Sequence, residues 1–153
     1  MNIELKLKKL KIELPETPKP LASYIPILQI GNLVFLSGIL PLRDGKLIKK
    51  GKVGQELNVE EAQKEARQCV INALSILKSY LGSLDRVKRC VKIAGYVASS
   101  ANFTEQHLVM NGASEFLVEV FEEAGKHTRV AVGVNSLPMD ASVEVEFIFE
   151  IKE

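Results

Sequence analysis

The chain has 153 residues and 16.9 kDa, 46% of them hydrophobic and 25% charged, which fits one domain around one core. Lysine and arginine number 20 against 19 acidic residues, a formal charge of +1 that excludes a global field drawing in nucleic acid or an anionic membrane. Lysines interrupt the N-terminal "MNIELKLKKLKIELPE" too often for a signal peptide, and no run elsewhere has the length of a membrane span, so a soluble cytoplasmic protein is expected.

In chain order, residues 3 to 14 place Ile3, Leu7, Leu10 and Leu14 at helical spacing and predict a short helix. "LPETPKP" then reads as an extended lead-in, because each proline removes a donor and restricts its predecessor, and residues 1–20 are set apart from a single domain at 21–153. "YIPILQIGNLVFLSGILPLRDGKLI" holds two apolar runs around Gly31-Asn32 and a third after a hairpin-type Asp-Gly, a strand meander. Asn58 is placed to cap a helix carrying Val59, Ala62, Ala66, Cys69, Ala73, Leu77 and Tyr80 on one stripe, with Gly82 closing it.

"DRVKRCVKIAGYVASS" alternates as a strand, with Val91, Ile93 and Val97 on one face and Cys90, Lys92, Ala94 and Tyr96 on the other. A second amphipathic helix runs through Ala113, Phe116, Leu117, Val120 and Phe121 to Gly125, and Asn111-Gly112 could open it. Two strands follow, Val130, Val132 and Val134 alternating with Arg129, Ala131 and Gly133, then Val143, Val145, Phe147, Phe149 and Ile151 alternating with glutamates. The order predicts an α+β layer arrangement, each helix covering one sheet face. A chain of this size buries roughly 70% of its unfolded surface without staples, so Cys69 and Cys90 are expected as core thiols in a reducing compartment.

The valines of the first closing strand are expected under the helices, leaving Arg129, Ala131 and Gly133 on the open face with room for a ligand or another subunit. Arg129 is then either a carboxylate receiver, through its planar fork of donors, or an ordinary partner of Glu144 or Glu146. Pairing the closing strands as a hairpin turning near Pro138 and Met139 sets Gly133 across from Glu144. Arg129 and Glu144 then share a face about 13 Å apart at strand rise, which favours closure of the site by a second copy of the chain. From the residues alone Ser37-Gly38 reads as a bulge, while Tyr24 could be a rim residue and His127 could line the pocket edge. His107 and His127 lack partners at metal-ligand spacing, so no metal is expected.

Two blocks, "SYIPILQIGNLVFLSGILP" and "TRVAVGVNSLPMDASVEVE", resemble the RidA/YjgF family of reactive-imine deaminases. The resemblance implies a bacillus-type chorismate-mutase-like fold, a mostly antiparallel sheet with two helices on one face, assembled as a homotrimer. It implies hydrolysis of small 2-imino or 2-enamino acids in a cleft between subunits, without a cofactor, a small carboxylate metabolite being the partner. By position, the family's carboxylate-binding arginine falls on Arg129 and its water-associated glutamate on Glu144. Its site serine falls on Ser37 with Gly38 beside it, its tyrosine on Tyr24 and its helix asparagine on Asn111. Ala131 stands where many deaminating members have cysteine, which puts the substrate in question, and "VMNGASEF" is similar to a longer, chorismate-mutase-like subgroup. A non-catalytic metabolite-binding trimer is the alternative; the endoribonuclease label of some members finds little support, for the chain lacks a clustered basic patch.

Overall fold

The lysine-studded N-terminus folds as a helix because Asn2 caps it: its side chain accepts from the Leu5 N–H at 2.8 Å, and Ile3 and Leu7, one turn apart, both point inward. This helix, α1 (Ile3–Lys9), opens the computed structural model, which describes residues 2–17 and 23–153. Residues 12 to 17 have no regular secondary structure, and the rest of the proline-rich lead-in lies outside the described residues.

The first two apolar runs are strands, β1 (Ile27–Ile30) and β2 (Leu33–Ile39), turned by Gly31 at φ +58°. The third run is not a strand. Asp44 and Gly45 do make the tight turn, at φ +51° and +76° with reciprocal Arg43 and Lys46 backbone bonds of 2.8 and 3.0 Å. Beyond it only Leu47 turns inward before Ile48 and the lysines return to solvent, so nothing sustains a ladder.

Helix α2 (Val59–Leu81) starts at a full capping box, Asn58 with Glu61, and ends at Gly82, whose φ of +80° suits glycine. Its stripe of Ala62, Ala66, Cys69, Ala73 and Leu77 is wholly buried. Helix α3 (Gln106–Phe121) starts more than a turn before Asn111-Gly112, so Asn111 is mid-helix and does not open it. The two helices lie side by side on one face of the sheet, and Gly112 sets their separation: a Cβ there would stand 2.2 Å from the Gln63 carbonyl oxygen. Because that neighbour is backbone, Gly112→Ala is expected to cost about 1–3 kcal/mol and to lower Tm by several degrees in thermal denaturation. An unchanged Tm would mean that the helices part freely.

Strands β3 (Val87–Ala98), β4 (Thr128–Val134) and β5 (Val143–Ile151) complete one sheet in the order β1-β2-β5-β3-β4, antiparallel except for the β3–β4 pair. The α+β expectation of a mostly antiparallel sheet with two helices on one face therefore holds, with α1 packed against α3 as a third helix. Among the described residues no helix is long and apolar enough to cross a membrane.

Three expectations fail here, each for a non-local reason. Strands β4 and β5 form no hairpin: residues 135 to 142 carry the chain past β3, and β5 inserts between β2 and β3. Strand β5 is suited to the centre because Val143, Val145, Phe147, Phe149 and Ile151 are all at most 2% exposed, with Phe147 and Phe149 stacked at 5.9 Å. In β3 the register shifts between Cys90 and Lys92, a bulge that turns Cys90 to the core beside Ile93 and Val97 and leaves Lys92, Ala94 and Tyr96 on the face away from the helices.

The faces of β4 are the reverse of the prediction. Arg129, Ala131 and Gly133 face α3, while Val130 and Val132 lie on the far side at 43% and 39% exposure. The small residues make room for the chain's own helix: a Cβ at Gly133 would stand 2.7 Å from Gln106 Nε2 and 2.9 Å from Ser99 Oγ.

Candidate functional site

Arg129 sits on the edge strand and reaches over α3. Its Nη1 donates to Asn111 Oδ1 at 3.0 Å and to Ser114 Oγ at 3.1 Å, and Nη2 donates to the His107 carbonyl at 3.3 Å. His107, Asn111 and Ser114 fall four and three residues apart and so line one stripe of α3, which explains why one guanidinium can reach all three. All its acceptors are neutral, and among the described residues Arg129 has no carboxylate partner, so its charge is available to an anion. The pairing with Glu144 or Glu146 of the alternative reading does not form.

Glu144 belongs to a second group. It is half-buried on the sheet face away from the helices, without a hydrogen-bond partner among the described residues, and burial followed by the neighbouring Glu146 charge pushes its carboxyl above the ordinary range. Glu146 accepts from the Tyr96 hydroxyl. The Glu144 carboxylate lies directly over Gly38: a Cβ there would stand 2.3 Å from Glu144 Oε1. Ser37 and Gly38 form a bulge, since three steps of β2 from Leu36 to Ile39 span two steps of β5 from Phe147 to Val145. The bulge reading of Ser37-Gly38 is borne out, and the bulge lies under the Glu144 carboxylate. Ser37 Oγ donates to the Ile25 carbonyl at 2.7 Å, which ties the segment carrying Tyr24, whose ring is exposed, to this end of the sheet.

Gly38→Ala provides a specific check. The atom it would strike is the far end of a flexible side chain, so the fold should survive with Tm within about 2–4 °C while the carboxylate is displaced. Any reaction that depends on the place of that carboxylate should slow about tenfold or more, and unchanged turnover would separate Glu144 from the chemistry.

Arg129 and Glu144 do not share a face. The register runs Arg129, Ile93, Phe147 across the sheet on the helix side and Val132, Tyr96, Glu144 on the other. Within one chain the structure therefore joins Arg129 with Asn111, and Glu144 with Gly38 and Ser37, but does not bring the two groups to one ligand. Ala131 is half-buried on the helix side, beside Arg129 and against the core.

Ser114 and the His107 carbonyl were missed by the sequence reading; the signal was their three- and four-residue spacing from Asn111. His127 lies beside Arg129, its Nε2 2.9 Å from Ser114 Oγ and its Nδ1 2.6 Å from the Gly125 carbonyl. Burial foremost, and then the Arg129 charge, hold its pKa below the ordinary value, an environment that also repels a metal cation.

Two helices over a five-stranded, mostly antiparallel sheet, with an anion-ready arginine at one edge and a half-buried glutamate on the open face, define the chorismate-mutase-like class. Residues 4–151 match the family model described as "YjgF/chorismate_mutase-like, putative endoribonuclease", and the chain belongs to that family. It is 42% identical over 151 residues to protein TCP17 of Trypanosoma cruzi, covering 98% of this chain and 94% of that one. The crystal structure of Atu1372 from Agrobacterium tumefaciens superposes with a TM-score of 0.92 at 44% identity, over 98% of this chain and 92% of that one. A more distant relative, at 26% identity over 146 residues and covering 92% and 95% of the two chains, is a 2-iminobutanoate/2-iminopropanoate deaminase of Dermatophagoides farinae.

Proposed function

We propose that this protein hydrolyses small reactive 2-imino and 2-enamino acids to 2-oxo acids and ammonia, in a cleft closed by a neighbouring copy of the chain in a homotrimer. The observation that carries the reading is the separation, among the described residues, of a guanidinium without a carboxylate partner and a half-buried carboxylate without a hydrogen-bond partner onto opposite faces of one sheet. Two such groups can serve one small molecule only if one comes from each of two chains. The exposed apolar face around Glu144, with Leu28, Ile30, Leu33, Val130 and Val132, supports its being covered by another copy.

In this reading Arg129 binds the substrate carboxylate through N–H groups not used on α3. The imine carbon is already electrophilic once its nitrogen is protonated, so the protein has to place a water and move protons. Glu144 takes a proton from the water as its oxygen bonds to C2 and the C=N electron pair moves to nitrogen. It returns that proton to the nitrogen; as the C–N bond breaks and ammonia leaves, Glu144 takes the proton of the C2 hydroxyl so that the carbonyl forms, and it passes that proton on to the departing ammonia. Ser37, the Gly38 backbone, Tyr24 and Asn111 shape the pocket. A raised Glu144 pKa suits a group that must both accept and give a proton near neutrality. The deaminase named among the relatives gives the same direction.

Ala131 favours a second reading, a metabolite-binding trimer without turnover, because many deaminating members of the resembling family carry cysteine there. The test is release of ammonia and 2-oxo acid from a panel of 2-imino acids generated in situ by an amino-acid oxidase. Acceleration over buffer supports the deaminase, and the panel ranks side chains. Absence of acceleration with a folded, oligomeric protein that still binds 2-oxo acids supports the binding module.

A further inference from the structure

The Arg129 guanidinium has five N–H donors, and three of them are committed to Asn111, Ser114 and the His107 carbonyl. What remains is Nε–H and one hydrogen of Nη2. Which hydrogens are left free is set partly by Ser114, and the orientation of Ser114 is set in turn by His127.

The proton positions follow from chemistry. The Gly125 carbonyl can only accept, so His127 Nδ1, 2.6 Å away, carries the hydrogen. In the neutral ring Nε2 is then an acceptor, and Ser114 Oγ at 2.9 Å must donate to it. With its hydrogen turned to His127, Ser114 presents lone pairs to Arg129 Nη1 at 3.1 Å. Burial keeps the ring neutral and so maintains this order.

We propose that Ser114 and His127 are positioning residues for Arg129, a hydrogen-bond chain from the Gly125 carbonyl that fixes the guanidinium so that its two free N–H groups meet the substrate carboxylate. The proposal rests on the carboxylate-binding reading of Arg129 above. The serine–histidine pair also has the spacing of a nucleophile and its base. Ser114, however, is mid-helix, its oxygen already accepts from Arg129, and the backbone amides around it are spent in α3, which leaves no backbone donors for an oxyanion.

The test uses Ser114→Ala, His127→Leu and His127→Gln in the full chain, the glutamine carbonyl being able to accept from Ser114 where Nε2 does. Nitrogen-15 NMR should find wild-type His127 in the Nδ1–H tautomer and Arg129 side-chain signals that are sharp. In Ser114→Ala and His127→Leu those signals should broaden. KM for the imino acid, or Kd for 2-oxobutanoate, should rise about tenfold with kcat within about twofold, and His127→Gln should recover most of the loss. Arg129 signals and affinities unchanged in both variants, or glutamine no better than leucine, would overturn the proposal while wild-type binding remained normal. A wild type that binds no carboxylate would overturn this proposal together with the reading of Arg129.

Discussion

Replacing Arg129 with alanine is expected to lower kcat/KM for imino-acid hydrolysis by about 10³-fold or more, equivalent to about 4 kcal/mol of transition-state stabilisation. In the proposed reaction the imines already hydrolyse in water unaided, so holding the carboxylate would be the largest contribution the chain makes. The same change removes three hydrogen bonds onto α3, all at an exposed edge. A stability cost of about 1 kcal/mol and a Tm lower by about 2–4 °C should accompany it, too little to unfold the domain. Arg129→Lys keeps the charge but not the fork, and one ammonium cannot hold Asn111, Ser114 and His107 while also taking a carboxylate. It should recover under a tenth of the lost activity. Full activity in Arg129→Ala on the 2-imino acid panel would refute the assignment.

Glu144→Gln is the second large effect. Turnover should fall about 10²- to 10³-fold, the range expected for losing a general base, with KM and 2-oxo acid binding little changed because Arg129 is untouched. Burial and the Glu146 charge raise the Glu144 pKa, so wild-type kcat/KM should climb with pH through a midpoint above the ordinary carboxylate range. The climb should vanish in the glutamine variant. Stability moves the other way: a carboxyl raised in the folded state stabilises fully below its unfolded pKa, and that contribution is lost as pH rises through the folded pKa. Above the folded pKa the ionised group therefore burdens the fold, and Glu144→Gln should show an equal or higher Tm in thermal denaturation there. A lower Tm would mean that the carboxylate has a stabilising partner.

Much of the local structure was legible in the residues. Asn58 with Glu61, Gly82, Gly31-Asn32 and Asp44-Gly45 act over a few positions, and each does what its chemistry predicts. Arg129 could also be singled out, because no local contact explains a guanidinium beside Ala131 and Gly133. What misled was the inference from that smallness to an open face. Alternation with period two divides a strand into two faces but does not say which one a helix will cover, and here α3 approached through the small residues and left the valines outside.

The sequence by itself determined that two long helices and a set of strands form and where α2 starts and stops, which residues were apolar enough for a core, and which side chains had chemistry to offer. The tertiary structure decided that β5 lies between β2 and β3, that Arg129 and Glu144 fall on opposite faces, and that Ser114 and His127 join Arg129. Caps, turns and periodicity are settled by neighbours within about one helical turn. Strand order and the covered face are settled by contacts between residues far apart in the chain, whose energies depend on how the whole core packs.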